Sequence, residues 1–319
     1  AVIVASVIGF SLTLIPFQDI EINKAVASNK NTIPNIDANF EQHLGKLRSA
    51  LYTSEQTTDS GQANPIELDR LNQLFQLIKS YLHQPSDSLT NKITQLCNQL
   101  HLRVSTLNHQ YLIVEDSQPE RGWGVYLWNT NTKNNLIIEV PAPLDEPQAS
   151  DAASSLYINF SAKALALAGT KRNHSSDGTS DTLKNSQTAF QLFHRNFALQ
   201  NTLQIRQYTQ ISSRRLLTSK TDNFPHIPNN EKNQLWVKKS LPDNLNINAL
   251  DKMLNNFDIQ WKKAPLENRQ QDASPQGFSE LYLSPAGVRS ILSFTSTGAI
   301  FTQQLKSQRI DGYLLNWLK

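Results

Sequence analysis

From residue 102 onward, the sequence alternates between short apolar runs and amphipathic ones, which constrains the fold more than any other feature. Four strand-like runs come first, separated by turn-forming residues: LRVSTL, QYLIVED, WGVYLWN and NLIIEVP. Helical patterns at 149–163, 186–198 and 246–257 then alternate with the strand-like runs ALALAG, TLQIRQYTQ, NQLWVKKS and FSELYLS, and a last helix follows Pro285. Strands that alternate with helices form sheets covered on both faces, so the sequence predicts an α/β fold with a mixed sheet.

Three amphipathic helices are predicted ahead of this region. Asp37 is the expected N-cap of the first helix, Pro65 opens the second, and the third begins near Ser86. Leucines recur along all three at a helical period, which indicates packing rather than chemistry. We therefore expect a small helical bundle or stalk at residues 30–102, followed by the α/β domain at 103–319.

The first 17 residues contain no charged side chain. A hydrocarbon core needs about 20 apolar residues, so we interpret residues 1–20 as a transmembrane anchor. Two alternatives stay open: a signal peptide cleaved at the small-x-small sequence AVA (residues 25–27), or a buried helix. No cluster of Lys or Arg follows the apolar run, so the positive-inside rule favours an extracytoplasmic position for the rest of the chain.

Several classes of function find no support in the sequence. The net charge of +3 is too weak to indicate nucleic acid, and no nucleic-acid-binding signature occurs, so no such partner is predicted. A single cysteine, Cys97, excludes an intramolecular disulfide and a cysteine-based zinc site. The patterns GxSxG, GxGxxG, GxxxxGK and HExxH are absent. The motifs therefore indicate no cofactor.

Two places carry residues able to bind a ligand. The polar loop after ALALAG contains Lys171, Arg172, His174 and Asp177, which form either a ligand or metal site or an ordinary solvent-exposed loop. Arg206 lies within the predicted strand TLQIRQYTQ. Its guanidinium either holds a carboxylate or an acidic polymer at the strand end, or it makes an internal ion pair or faces solvent.

The segment IEVPAPLDEP at residues 138–147 has the form of a buried strand that runs into a loop carrying two acids, Asp145 and Glu146. A loop at a strand end is a common position for a catalytic or metal-binding group. The residue between the first two prolines, however, is Ala142. The loop thus looks like part of an active site without its working residue.

The stretches GWGVYLWNTNTKNNLIIEVPAPLDEP, ALALAGTKRNHSSDGTSD and LQIRQYTQ resemble bacterial hydrolase-like proteins related to zinc carboxypeptidases and poly-gamma-glutamate hydrolases. The resemblance implies a histidine ligand between the two prolines, a second histidine in the LQIRQY strand, and a glutamate base on a late strand. Those positions hold Ala142, Arg206 and Tyr282 in this sequence. The late strand keeps a carboxylate at Glu280, and Arg289 follows, as an arginine does in that group.

On this basis we expect a degenerate cleft that binds no metal and contains no catalytic residue, formed by Ala142, Asp145, Glu146, Arg206, Glu280, Tyr282 and Arg289. The resemblance and the missing ligand positions imply an accessory, scaffold or ligand-binding subunit of the bacterial envelope. Together with the expected anchor, they predict a single-pass protein of the inner membrane with its bulk in the periplasm. Expected partners are other envelope proteins, a peptide or an anionic polymer. The alternative is an active metal-dependent peptidase or amidohydrolase with a displaced site.

Overall fold

The computed structural model describes residues 32–54, 61–208, 232–255 and 257–294. These residues all belong to one compact unit. The predicted anchor at residues 1–20 lies outside the described residues. Within the described ranges, every helix is too short or too polar to cross a membrane.

The fold is α/β with a mixed sheet of ten strands, which confirms the predicted class. The strands are β1 (Asn35–Ile36), β2 (Leu102–Leu107), β3 (Tyr111–Asp116), β4 (Val125–Asn129), β5 (Ile137–Val140), β6 (Ala164–Leu167), β7 (Thr202–Gln207), β8 (Asn233–Lys238), β9 (Phe257–Gln260) and β10 (Phe278–Leu283). Their spatial order is β1-β2-β3-β4-β6-β5-β7-β10-β8-β9. The four neighbours β6, β5, β7 and β10 run parallel, so their C-terminal ends meet at one edge of the sheet.

Eight α-helices accompany the sheet in the described ranges: α1 (Phe40–Thr53), α2 (Pro65–His83), α3 (Asp87–Gln99), α4 (Pro147–Asn159), α5 (Ala189–Phe197), α6 (Ile247–Leu254), α7 (Arg269–Ala273) and α8 (Pro285–Ser293). Pro65 opens α2 as predicted, behind an Asn64–Glu67 capping box. The prediction of Asp37 as a cap was wrong. Asn39 caps α1, while the Asp37 carboxylate accepts a hydrogen bond from the Asn35 side chain.

The helices cover both faces of the sheet and enclose two hydrophobic cores. Helices α1, α4, α6 and α8 pack on one face, and α2, α3 and α5 pack on the other. Successive strand residues enter opposite cores, as Ile113 and Val114 do on β3. The three N-terminal helices therefore do not form one bundle, since α1 lies on the opposite face from α2 and α3.

The sheet face that α2, α3 and α5 cover changes from apolar to polar across the sheet. Over β2, β3 and β4 it is apolar, with side chains such as Val104, Val114 and Trp128. Over β5, β7 and β10 it is polar and still fully buried, and its register-paired side chains are Glu139, Gln204, Arg206, Glu280 and Tyr282. Buried polar side chains need hydrogen-bond or ion-pair partners, so this half of the face is the candidate position of a functional site.

Candidate functional site

The loop after β5 folds back and brings one of its two acids to the end of β7. The Ala142 carbonyl accepts hydrogen bonds from the backbone N–H groups of Asp145 (3.2 Å) and Glu146 (2.9 Å). Pro147 then opens α4, where a missing N–H costs nothing. The turn buries the Glu146 side chain and directs its carboxylate to Arg206 and to the backbone N–H of Gln207.

Four buried side chains form what we name the arginine cluster: Glu146, Arg206, Glu280 and Tyr282. Arg206 Nε donates to Glu146 Oε2 at 3.0 Å, and its Nη2 donates to Glu146 Oε1 at 2.7 Å. Arg206 Nη1 donates to Glu280 Oε2 at 3.4 Å and to the Tyr282 hydroxyl at 3.2 Å. That hydroxyl donates in turn to Glu280 Oε2 at 3.2 Å. Every nitrogen of the guanidinium is therefore engaged.

The electrostatics of the cluster follow from its burial. Burial raises the pKa of Glu280, and the nearby Arg206 charge opposes that rise only in part. Burial also disfavours the charge of Arg206, but Glu146 and the other neighbours outweigh it and raise the pKa of the guanidinium. Glu280 Oε1 accepts no hydrogen bond from any described residue. Arg206 is thus a permanent cation held between two carboxylates.

This geometry favours one of the two interpretations of Arg206 that the sequence leaves open. Arg206 is fully buried and its guanidinium already pairs with Glu146 and Glu280, so the internal ion pair describes it better than an anion-binding site. Ala142 is fully buried beside Asp145 and Glu146 on the same loop and supplies no ligand atom from its side chain.

Asp145 and Arg172 serve the adjoining loop rather than the arginine cluster. Asp145 Oδ2 accepts the backbone N–H of Arg172 at 2.9 Å, and burial raises the pKa of that carboxyl. The Arg172 guanidinium makes a two-pronged ion pair with Asp181, at 3.0 Å for both hydrogen bonds. The structure therefore uses Arg172 to tie the loop together, which argues against its predicted role in ligand binding.

The remaining predicted residues lie apart. Lys171 and Asp177 are exposed and His174 is half-buried. Asp177 Oδ1 accepts two hydrogen bonds from Thr179, which lower the pKa of its carboxyl. Arg289 is exposed on α8 and makes no hydrogen bond or ion pair to the arginine cluster. Among the residues that the structure describes, no three His, Cys, Asp or Glu side chains are grouped as metal ligands.

A second polar group, the histidine cluster, lies next to the first on the same face and comprises Glu139, His194, Gln204, Asn268 and Ser274. His194 Nδ1 lies 2.9 Å from Glu139 Oε1, and its Nε2 lies 3.0 Å from Ser274 Oγ. Gln204 Nε2 donates to Glu139 Oε2 at 3.3 Å, and Asn268 Nδ2 donates to Gln204 Oε1 at 2.6 Å. His194 lies between Phe193 and Phe197 in a helical pattern, which predicts a partly buried and hydrogen-bonded side chain. The sequence gives no sign of its partners, which come from distant segments.

The serine, histidine and glutamate of this cluster are connected in the order found in serine hydrolases. Ser274 is fully buried, however, so a substrate has no access to its hydroxyl in this structure. The hydroxyl also lies 3.0 Å from the Gln270 carbonyl, to which it donates. The cluster is therefore a buried hydrogen-bond network that joins α5 and the segment around α7 to the sheet.

No protein-family model, no curated protein and no solved structure gives a significant match to the chain.

Proposed function

We propose that this chain is a hydrolase-like α/β domain without metal-dependent catalysis, which acts as an accessory or scaffold subunit of a bacterial envelope complex. The observation that carries the proposal is the position of Arg206, whose guanidinium lies between the carboxylates of Glu146 and Glu280. In the proteins that the sequence resembles, a zinc-binding histidine occupies the equivalent position on this strand.

Two physical arguments support the loss of catalysis. A catalytic zinc site has three protein ligands and one open position for water, whereas both carboxylates here are already engaged by an arginine. In addition, Arg206 is a permanent cation, and the repulsion between a guanidinium and a divalent ion is strong inside a low-dielectric interior. Zinc binding at this place therefore requires that Arg206 leave it.

Two further features support the accessory role, namely the hydrophobic cores and the N-terminal sequence. Two hydrophobic cores, one on each face of the sheet, supply an extensive apolar scaffold around the arginine cluster. The uncharged run at residues 1–17 supports an anchor in the inner membrane, with the bulk of the chain in the periplasm. A carbonate wash of membranes tests the anchor, because an integral protein stays in the pellet.

Zinc content after loading tests the catalytic part of the proposal. The native chain, the single variant Arg206→His and the double variant Ala142→His/Arg206→His are incubated with zinc, desalted and measured by elemental analysis. We expect no stoichiometric zinc in the native chain. About one zinc per chain is expected in the double variant, in which two imidazoles join Glu146 and Glu280. The single variant separates the exchange of the guanidinium for one imidazole from the gain of the second imidazole at residue 142.

One zinc per native chain would overturn the proposal and support a displaced metal site. The variant His174→Ala then shows whether the loop around His174 and Asp177 holds the ion. A native chain and a double variant that both stay empty would contradict the inferred equivalence of Ala142 and Arg206 to the ligand positions, provided that circular dichroism shows the variant folded.

A further inference from the structure

The two edges of the sheet differ in how they are protected. At one edge β1 contains only two residues, and Asn35 Oδ1 accepts hydrogen bonds from the Thr106 side chain and the His109 backbone. At the other edge β9 contains four residues and pairs only with β8 in the part of the chain that the structure describes. Proteins commonly blunt their edges with very short strands, and β1 fits that pattern whereas β9 does not.

The surroundings of β9 are apolar and basic. Trp261 directly follows the strand, and its side chain is 65% exposed. Four exposed lysines lie at the ends of β8 and β9: Lys232, Lys239, Lys262 and Lys263. Two of them make ion pairs with aspartates of the same region, Lys232 with Asp258 and Lys263 with Asp272, so the lysines outnumber these aspartates by two. The β9 edge, by which we mean β9 with Trp261 and these lysines, is therefore positively charged.

We propose that the β9 edge binds an extended acidic segment of a partner protein, which adds to the sheet as an eleventh strand beside β9. The proposal rests on the accessory role proposed above, for which it supplies the contact surface. Backbone groups of the added strand pair with those on the outer side of β9. Trp261 covers one apolar side chain of the segment, and the lysines attract its carboxylates.

The choice of a peptide over other anions follows from the strand itself. A strand edge presents N–H and C=O groups in alternation, and only another polypeptide backbone offers both complementary groups at the same spacing. A polyanion such as nucleic acid can contact the lysines, but it leaves the outward N–H and C=O groups of β9 without hydrogen-bond partners. Charge and backbone pairing together therefore specify an acidic polypeptide in the extended conformation.

Two synthetic octapeptides test the proposal on the full chain. One alternates Glu and Val, and the other has the same sequence but is methylated at every backbone nitrogen, so that both carry the same side-chain charge but the second has no backbone N–H donor on either edge. We expect saturable binding of the Glu-Val peptide, with slower hydrogen exchange of the amides in Phe257–Gln260. The N-methylated peptide is expected to bind roughly tenfold more weakly because it cannot donate hydrogen bonds to the ladder.

Charge reversal provides the matched variants. Lys262→Glu/Lys263→Glu is expected to weaken Glu-Val binding by roughly tenfold at low salt. The control Lys79→Glu/Lys92→Glu changes two exposed lysines on α2 and α3 and leaves the affinity unchanged. Equal affinity for the two peptides, or exchange protection outside β9, would overturn strand addition. Dimerisation through β9 without peptide would instead assign the edge to a second copy. None of these readouts depends on the zinc result.

Discussion

The arginine cluster and the histidine cluster lie side by side on one sheet face, and β7 contributes to both through Arg206 and Gln204. Both are fully buried, and both join the sheet to segments that are distant in sequence. They differ in how charge is balanced. The arginine cluster sets one cation between two carboxylates, whereas the histidine cluster has a single carboxylate among neutral hydrogen-bonding side chains and one imidazole.

The comparison separates the position of a polar site, which the strand backbone determines, from its chemistry, which a single side chain determines. The alternation of a strand directs both Gln204 and Arg206 to the same face, so the position of a polar site here is a property of the backbone. The chemistry at that position depends on the side chain alone. An imidazole at residue 206 would leave Glu146 and Glu280 able to bind a cation, while a guanidinium neutralises them. Stability is accordingly expected to depend on charge far more in the arginine cluster.

The largest effect is expected from Arg206→Leu. This change leaves the carboxylates of Glu146 and Glu280 buried without their cation. Breaking a buried ion pair by removing one partner costs about 3–5 kcal/mol in the free energy of unfolding. Urea denaturation followed by circular dichroism measures the loss.

The triple variant Glu146→Gln/Arg206→Leu/Glu280→Gln is the control for that experiment, because it removes all three charges together. Replacing a whole buried ionic group by neutral residues is often close to neutral, so the triple variant is expected to be more stable than Arg206→Leu. A triple variant less stable than the single one would show that Arg206 acts through packing rather than through charge.

Much of the fold follows from local sequence patterns. Strands such as β3 and β7 are predicted within a few residues because apolar runs bounded by turn-formers are local signals. Strand β9 is not predicted, because the helical pattern at residues 246–257 includes the first residue of the strand, Phe257. In the structure α6 ends at Leu254, and Asn255 takes the left-handed conformation (φ 56°), which ends the helix.

The candidate site is predictable from the sequence only in part, because single residues can be recognised but their pairing depends on the fold. Arg206 and Glu280 are visible because each is the single charged residue of its strand, and Glu146 is visible in its proline-bounded loop. Their pairing is not visible, because it depends on strand order and on the turn around Ala142. Ser274 and Asn268 of the histidine cluster belong to a segment without periodicity, so nothing local marks them. The Arg172–Asp181 ion pair is likewise not visible in the sequence, although the two residues are close in the chain, because either side chain can equally face solvent.

An intermediate effect is expected from Glu139→Gln in the histidine cluster. Glutamine keeps the size of the side chain and an oxygen acceptor for His194 Nδ1, but its amide nitrogen opposes the Gln204 donor. One weakened and one lost hydrogen bond correspond to about 1–3 kcal/mol in the free energy of unfolding. The same urea titration compares this variant with Arg206→Leu. A loss as large as that of Arg206→Leu would remove the distinction between the two clusters.

The smallest effect is the pH dependence that the carboxyl group of Glu280 gives to the stability of the fold. Burial raises the pKa of Glu280 above its ordinary value of 4.5, so the folded chain binds this proton more tightly than the unfolded chain does. The contribution of Glu280 to stability is therefore fully present below pH 4.5 and is lost as the pH rises through the folded pKa.

The variant Glu280→Gln is the comparison, because its side chain stays neutral at every pH. The free energy of unfolding of the variant, minus that of the native chain, is thus expected to increase as the pH rises from 4.5. Taking the difference at each pH cancels the contributions of Asp116 and Asp145, the pKa values of which are also raised by burial. A difference that falls over the same range would show that Arg206 outweighs burial, which would make Glu280 an obligate ion-pair partner like Glu146.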